Sequence, residues 1–176
     1  MREKMPRLKI LFLFNFPPPQ LTHFYMNHSE QKSRLLFPKL GLVYDAASPY
    51  TWLLLRLTIG LLLIPHGFPK IFGDDAAPTS RNFVRFGWDN PLEWAYFIGY
   101  VEFLGGLFLA TGFLTRFAAL VISIEMFVIS FAILYPNWGW SKRGMEYALF
   151  LAIVSLIFVF KGGGKYSIDR LLPKEI

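Results

Sequence analysis

Apolar residues along this chain of 176 residues gather into four blocks: Tyr50–Phe72, Leu92–Gly112, Arg116–Tyr135 and Met145–Lys161. Each block approaches the roughly 20 residues that cross a bilayer as a helix. An open backbone finds no partner in lipid, so blocks of this length predict helices. The pattern therefore predicts an all-α integral membrane four-helix bundle, with spans at about 50–72, 92–112, 116–135 and 145–161. Polar stretches separate them. "GDDAAPTSRNFVRFGWDNP" reads as an outer loop anchored by Trp88. Gly112 is a natural helix C-cap, and the turn after it is short enough to make the second and third spans an antiparallel hairpin. "PNWGWSKRG" turns the chain outside, with Trp138 and Trp140 suited to the membrane interface. "KGGGKYSIDRLLPKEI" ends the fourth span, and its "SIDRLL" reads as a short interfacial turn.

Small residues indicate which helix faces meet. Gly99, Glu102, Gly106 and Ala110 share one face of the second span, and Ala148, Ala152 and Ser155 share one face of the fourth. Close approach through small residues is how helices pack in lipid, where no hydrophobic drive separates protein from solvent.

Residues 1–49 read as an N-terminal cytoplasmic segment and 162–176 as a cytoplasmic tail. "MREKMPRLKILFLFNF" opens like a signal peptide, but its apolar run is short and "PPPQLTHFY" offers no small-residue cleavage site. Translation is expected to begin at Met26, a disordered cytoplasmic tail being the alternative. "SRLLFPKLGLVYDAASP" is expected to lie along the inner membrane surface.

Composition adds exclusions. Hydrophobic residues make up 54% of the chain, more than a soluble domain this small could bury. There are no cysteines, which excludes disulfides, thiolate nucleophiles, cysteine-ligated clusters and covalent haem attachment. Of three histidines, His23 and His28 precede the first span, so one transmembrane histidine remains and a bis-histidine haem site cannot form. No metal site is expected. The net charge of +6 sits in loops and tails rather than in a nucleic-acid surface. Downstream of Met26, eight Lys and Arg lie on the side of the two termini and five on the other, which places both termini in the cytoplasm.

Three charges fall inside spans: Arg56, Glu102 and Glu125. A charge at the bilayer centre costs about 2.5–3.5 kcal/mol even on the lenient insertion scale, so each should face the bundle interior and find a partner. Counted from the inner surface, Arg56 lies at about 9 Å, Glu125 at about 14 Å and Glu102 at about 15 Å. The three are expected to meet, with one acid retaining its proton because two carboxylates outnumber one arginine. The structural alternative is an Arg56–Glu102 clasp that fixes helix register.

A second group lies toward the outer surface. Pro65 and Pro69 each remove a helical N–H, and Gly67 between them loosens the chain. A break here is expected to line a protein-walled vestibule, since freed carbonyls cannot face lipid. His66 and Lys70 are four residues apart and neighbours if the turn stays helical. Glu146, opening the fourth span, is the expected counter-ion. The plainer alternative is a snorkelling Lys70, with His66 satisfying a freed carbonyl.

The stretches "LLRLTIGLLLIPHGFPKIFG", "GYVEFLGGLFLATGFLTRFAAL" and "RGMEYALF", followed by "GGGKYSID", come in an order that resembles the DoxX family. The resemblance covers about residues 50–170. Carried over residue by residue it points to Arg56, Gly60, His66, Gly67, Lys70, Glu102, Gly105, Gly106, Arg116, Glu146, Gly164, Ser167 and Asp169. Glu125 lies outside that pattern. The resemblance implies a multi-pass protein of a bacterial-type inner membrane. It also implies an accessory subunit of a membrane-bound, quinone-linked redox complex, because the family takes its name from a subunit of a quinone-linked thiosulfate-oxidising complex. Such a subunit is not expected to be an enzyme on its own. Quinone is the expected small molecule, with no covalently bound cofactor. The expected partners are the lipid bilayer, redox proteins and further copies of the chain, with no nucleic acid. The alternatives are a small proton-coupled transporter, which would have to oligomerise, and a non-catalytic scaffold.

Overall fold

Mean hydropathy and length single out three helices able to cross a membrane, and a fourth packs among them. The computed structural model describes residues 35–173. The expectations for residues 1–25 and for the Trp140 ring fall outside what is described. The chain divides into two units, Met1–Tyr44 and Asp45–Ile176. The described part of the first holds a 3-10 turn, Pro38–Leu40, and the start of a helix. Helix α1 covers Gly41–Phe72, α2 Ala76–Arg85, α3 Pro91–Thr111, α4 Thr115–Leu134 and α5 Glu146–Lys161. No strand occurs among the described residues.

Two expectations about α1 change. It begins at Gly41 rather than near Tyr50, and it runs unbroken through Pro49, Pro65 and Pro69 to Phe72. Proline is tolerated in membrane helices where neighbouring groups satisfy the freed carbonyls. His66 and Lys70 therefore sit one turn apart on a continuous helix. Gly67 does not act as a hinge. A Cβ there would collide with the backbone of Gly99 and Phe103 on α3, and one on Gly60 would collide with Gly106 and Ala110. The small-residue face of α3 thus presses directly on α1, as lipid-embedded packing favours.

The bundle core gathers Ile59 and Leu63 of α1, Val101 and Leu109 of α3, Ile122 and Met126 of α4, and Leu151 and Phe158 of α5. Ser123 Oγ donates to Ala152 O at 2.9 Å, tying α4 to α5. Apolar side chains also cover the outside: Phe160 is 73% exposed, and Leu54, Phe117, Phe131 and Phe150 are exposed too. An outer face of this kind suits lipid rather than water. The fourth bundle helix is short, with 16 residues spanning about 24 Å.

The stretch read as a loop between the first two spans contains α2. Its Ala76 and Phe83 pack on Ala95 and Ile98 of α3. Phe83, Trp88 and Trp94 cluster with ring centroids 4.9–6.5 Å apart. Phe83 and Val84 are its only large apolar side chains, so the segment is polar enough on average to read as a loop.

Candidate functional site

The expected meeting of Arg56, Glu102 and Glu125 does not occur; Arg56 lies at the tail end of the bundle and the two acids lie near the middle of α3 and α4. The register of α1 on α3 decides this. Gly67 abuts Gly99 and Phe103, Gly60 abuts Gly106 and Ala110, and Arg56 consequently lies beside Gly112. Gly112 is ten residues beyond Glu102, about 15 Å along the helix. Counting depth from an assumed start of α1 hid that distance.

Arg56, only 1% exposed, turns to the tail instead. It donates from Nη1 to Gly163 O at 2.7 Å and from Nη2 to Tyr166 O at 2.8 Å. Trp52 Nε1 donates to Gly162 O at 3.0 Å. Asp169 accepts from the backbone N–H groups of Leu114 at 2.6 Å and Thr115 at 2.9 Å, the open donors at the start of α4. Its own N–H reaches Gly112 O at 2.8 Å. Arg116 donates to the carbonyls of Val159 and Phe160, closing the end of α5. Ser167 Oγ holds Gly164 O at 2.8 Å. Gly112 takes a left-handed φ of 73°, and a side chain there would strike the Arg56 guanidinium. Arg56, Arg116, Gly164, Ser167 and Asp169 thus build a clasp that pins the tail under the bundle. Gly105 of α3 sits against the Ile122 side chain of α4.

The acids lie midway along α3 and α4, away from that clasp. Lys70 Nζ forms an ion pair with Glu102 Oε2, so the carboxylate on Lys70 is Glu102 rather than the expected Glu146. Glu102 lies in a π-helical turn, Val101–Gly105, a widening of the helix often found at functional sites. Because Gly105 faces Ile122 in antiparallel helices, Glu102 stands level with Glu125, and the two interact electrostatically. Glu125 is 5% exposed, and neither of its oxygens has a hydrogen-bond partner among the described residues. His66 lies within electrostatic reach of Glu102.

A cavity of about 390 Å³ opens beside this group. Leu63, Met126, Ile129, Leu134, Ala148 and Leu151 form its apolar wall, and His66, Glu102, Arg143 and Tyr147 supply polar atoms. A second π-helical stretch, Ile129–Leu134, forms part of that wall. An adjoining cavity of about 360 Å³ is lined by Pro65, Pro69, Lys70, Asp75 and Asn82, and it shares His66 and Arg143 with the first. Glu146 lines neither of them. Sequence reasoning missed Arg143, Tyr147 and Asp75. Arg143 was counted only as an outer-loop charge, yet its backbone takes a left-handed φ of 56° beside Gly144. The signal available was its position three residues before a motif acid.

Chemically, the arrangement combines an apolar slot, a buried ion pair at its edge and a second acid behind that pair. One ammonium facing two carboxyl groups is neutral when the acids share one proton.

Comparison with known proteins adds the following. The DoxX family model matches residues 51–134, from the first turns of the membrane-spanning part of α1 to the end of α4. An uncharacterized protein of Haemophilus influenzae is 29% identical over 131 residues, covering 72% of this chain and 94% of its own length. An uncharacterized membrane protein of Mycobacterium tuberculosis is 28% identical over 151 residues, covering 78% of this chain and 91% of its own. No solved structure matches the chain.

Proposed function

The chain belongs to the DoxX family of integral membrane proteins, and from that premise we propose that it is an accessory subunit of a membrane-bound redox complex whose cavity takes a quinone ring. The observation that carries this reading is the cavity between α1, α3, α4 and α5. Its volume of about 390 Å³ falls in the range of small-molecule sites, which are mostly apolar with a few convergent polar groups. Leu63, Met126, Ile129 and Leu151 suit the faces of a ring and the start of an isoprenoid tail. His66, Arg143 and Tyr147 are hydrogen-bonding groups within reach of ring carbonyls. Bound there, a quinone would supply a two-electron, two-proton acceptor, its electrons coming from a partner protein. The chain's own part is to orient the ring, exclude water and hold a proton. Lys70 fixes the Glu102 carboxylate at the cavity edge, and Glu125 stands behind it as a second buried carboxyl group.

Full-length protein purified in mild detergent is expected to carry extractable quinone and to co-purify with a redox partner. Ala148→Phe, which fills the cavity from its wall, should lower quinone content at least about tenfold, equivalent to about 1.4 kcal/mol of binding. Wild-type protein without quinone, or an Ala148→Phe protein that keeps it, would sink the quinone reading and leave the scaffold.

The bond from Trp52 to Gly162 joins the start of the membrane part of α1 to the end of α5. An even number of crossings follows naturally from that proximity, and the Lys and Arg bias favours a cytoplasmic location for this end. A reporter active only outside the inner membrane, fused after Ile176, is expected to be silent. Reporter activity at that position would reverse the orientation.

A further inference from the structure

At the tail end of the bundle, away from the proposed quinone cavity, three cations converge on a separate pocket. Lys161 closes α5, Lys165 follows the glycine turn and Arg170 lies in the 3-10 turn Ile168–Leu171. With Gly164, Asp169 and Leu172 they line a space of about 370 Å³. None of the three forms an ion pair with another described residue. The one carboxylate in the wall, Asp169, is already committed to the N–H groups of Leu114 and Thr115. The last carbonyls of α5 would repel an anion, but Arg116 takes those of Val159 and Phe160.

The pocket is also built rigidly. Gly164 holds a left-handed φ of 80° against the Trp52 ring, and Arg56 anchors the turn on either side of it. Its surroundings are apolar and open: Phe160 precedes Lys161, and Leu171, 84% exposed, follows Arg170. A basic bias on one side of a membrane explains why lysines and arginines lie there, but not why three of them share one pocket rimmed by exposed Phe and Leu.

The geometry points to a headgroup site for an anionic phospholipid. Its phosphate sits among Lys161, Lys165 and Arg170, and its chains run over Phe160 and Leu171. Basic pockets at helix ends recognise lipid phosphate in this way, and a free phosphate would share the cations but gain nothing from the apolar rim.

The test uses full-length protein in nanodiscs of phosphatidylcholine alone or enriched in phosphatidylglycerol. Wild-type Tm is expected to rise by about 4 °C in the enriched discs, as ligand binding to the folded state requires. The variant Lys161→Gln/Lys165→Gln/Arg170→Gln should keep the wild-type Tm in phosphatidylcholine and lose the rise. Inorganic phosphate added to phosphatidylcholine discs should produce none. Native mass spectrometry of wild-type protein from mixed micelles should show phosphatidylglycerol retained over phosphatidylethanolamine, a readout that needs no variant. Equal wild-type Tm in the two lipids, a rise that survives in the triple variant, or no lipid preference in the spectra would overturn the site. A rise reproduced by inorganic phosphate would overturn the lipid as its occupant.

Discussion

Arg56→Met is expected to destabilise the protein by about 3–5 kcal/mol in detergent, among the largest effects of any single change. The guanidinium is buried and serves two carbonyls, Gly163 O and Tyr166 O. Methionine keeps much of the volume but donates nothing. Each carbonyl stranded without a donor costs about 1–3 kcal/mol. The tail that Arg56 anchors also carries Asp169, which supplies the acceptors at the start of α4. Loss of the arginine should therefore loosen the α4 N-terminus as well, and protease cleavage near Gly162–Gly164 should accelerate. Trp52→Phe, which removes a single hydrogen bond to Gly162 O, should cost only about 1 kcal/mol. Thermal unfolding of both variants settles the order. The same measurements separate the tail clasp from the acids at mid-helix. Arg56→Met and Glu102→Gln should add within about 0.3–0.5 kcal/mol, because they share no partner. A larger coupling would restore the direct clasp that the helix register disallows.

Lys70→Met should have a comparable effect for a different reason. It leaves Glu102 and Glu125 level with each other in the bundle and removes the cation paired with Glu102. Breaking a buried pair from one side costs about 3–5 kcal/mol in soluble proteins, and membrane relaxation lowers that somewhat. The penalty is electrostatic, so it should be relieved by removing negative charge. Lys70→Met/Glu102→Gln is expected to recover part of the loss, with a coupling of about 0.5–3 kcal/mol in a double-mutant cycle. Glu125→Gln should also soften Lys70→Met, by a smaller amount, since Glu125 makes no direct hydrogen bond to the lysine. Strict additivity of Lys70→Met and Glu102→Gln would mean that the ion pair contributes nothing to the fold. If the double variant is stable but binds no quinone, the pair belongs to the site as well as to the bundle.

The chain's local pattern was enough to determine its class. Apolar blocks of spanning length can fold in lipid only as helices. The left-handed turn at Gly112 and the short link to Thr115 make α3 and α4 a hairpin, and Gly99, Gly106 and Ala110 mark a face made for close approach. The same pattern singled out Arg56, Lys70, Glu102 and Glu125, because a charge in an apolar block stands out without any knowledge of its neighbours. It could not say which of them meet. Partner choice depends on how far one helix slides along another, and periodicity within a helix carries no information about that offset. The contacts of Gly60 with Gly106 and of Gly67 with Gly99 fix it, sending Arg56 to the tail and Glu102 to Lys70. Tertiary packing likewise carried α1 helical through Pro65 and Pro69, where local rules predict a break, and folded α2 onto α3 through Phe83 alone among its large side chains. The cavity is furthest from the sequence. Its walls come from four helices and a loop, and its shape is the gap left after side chains distant in the chain have packed, so no local stretch could reveal it.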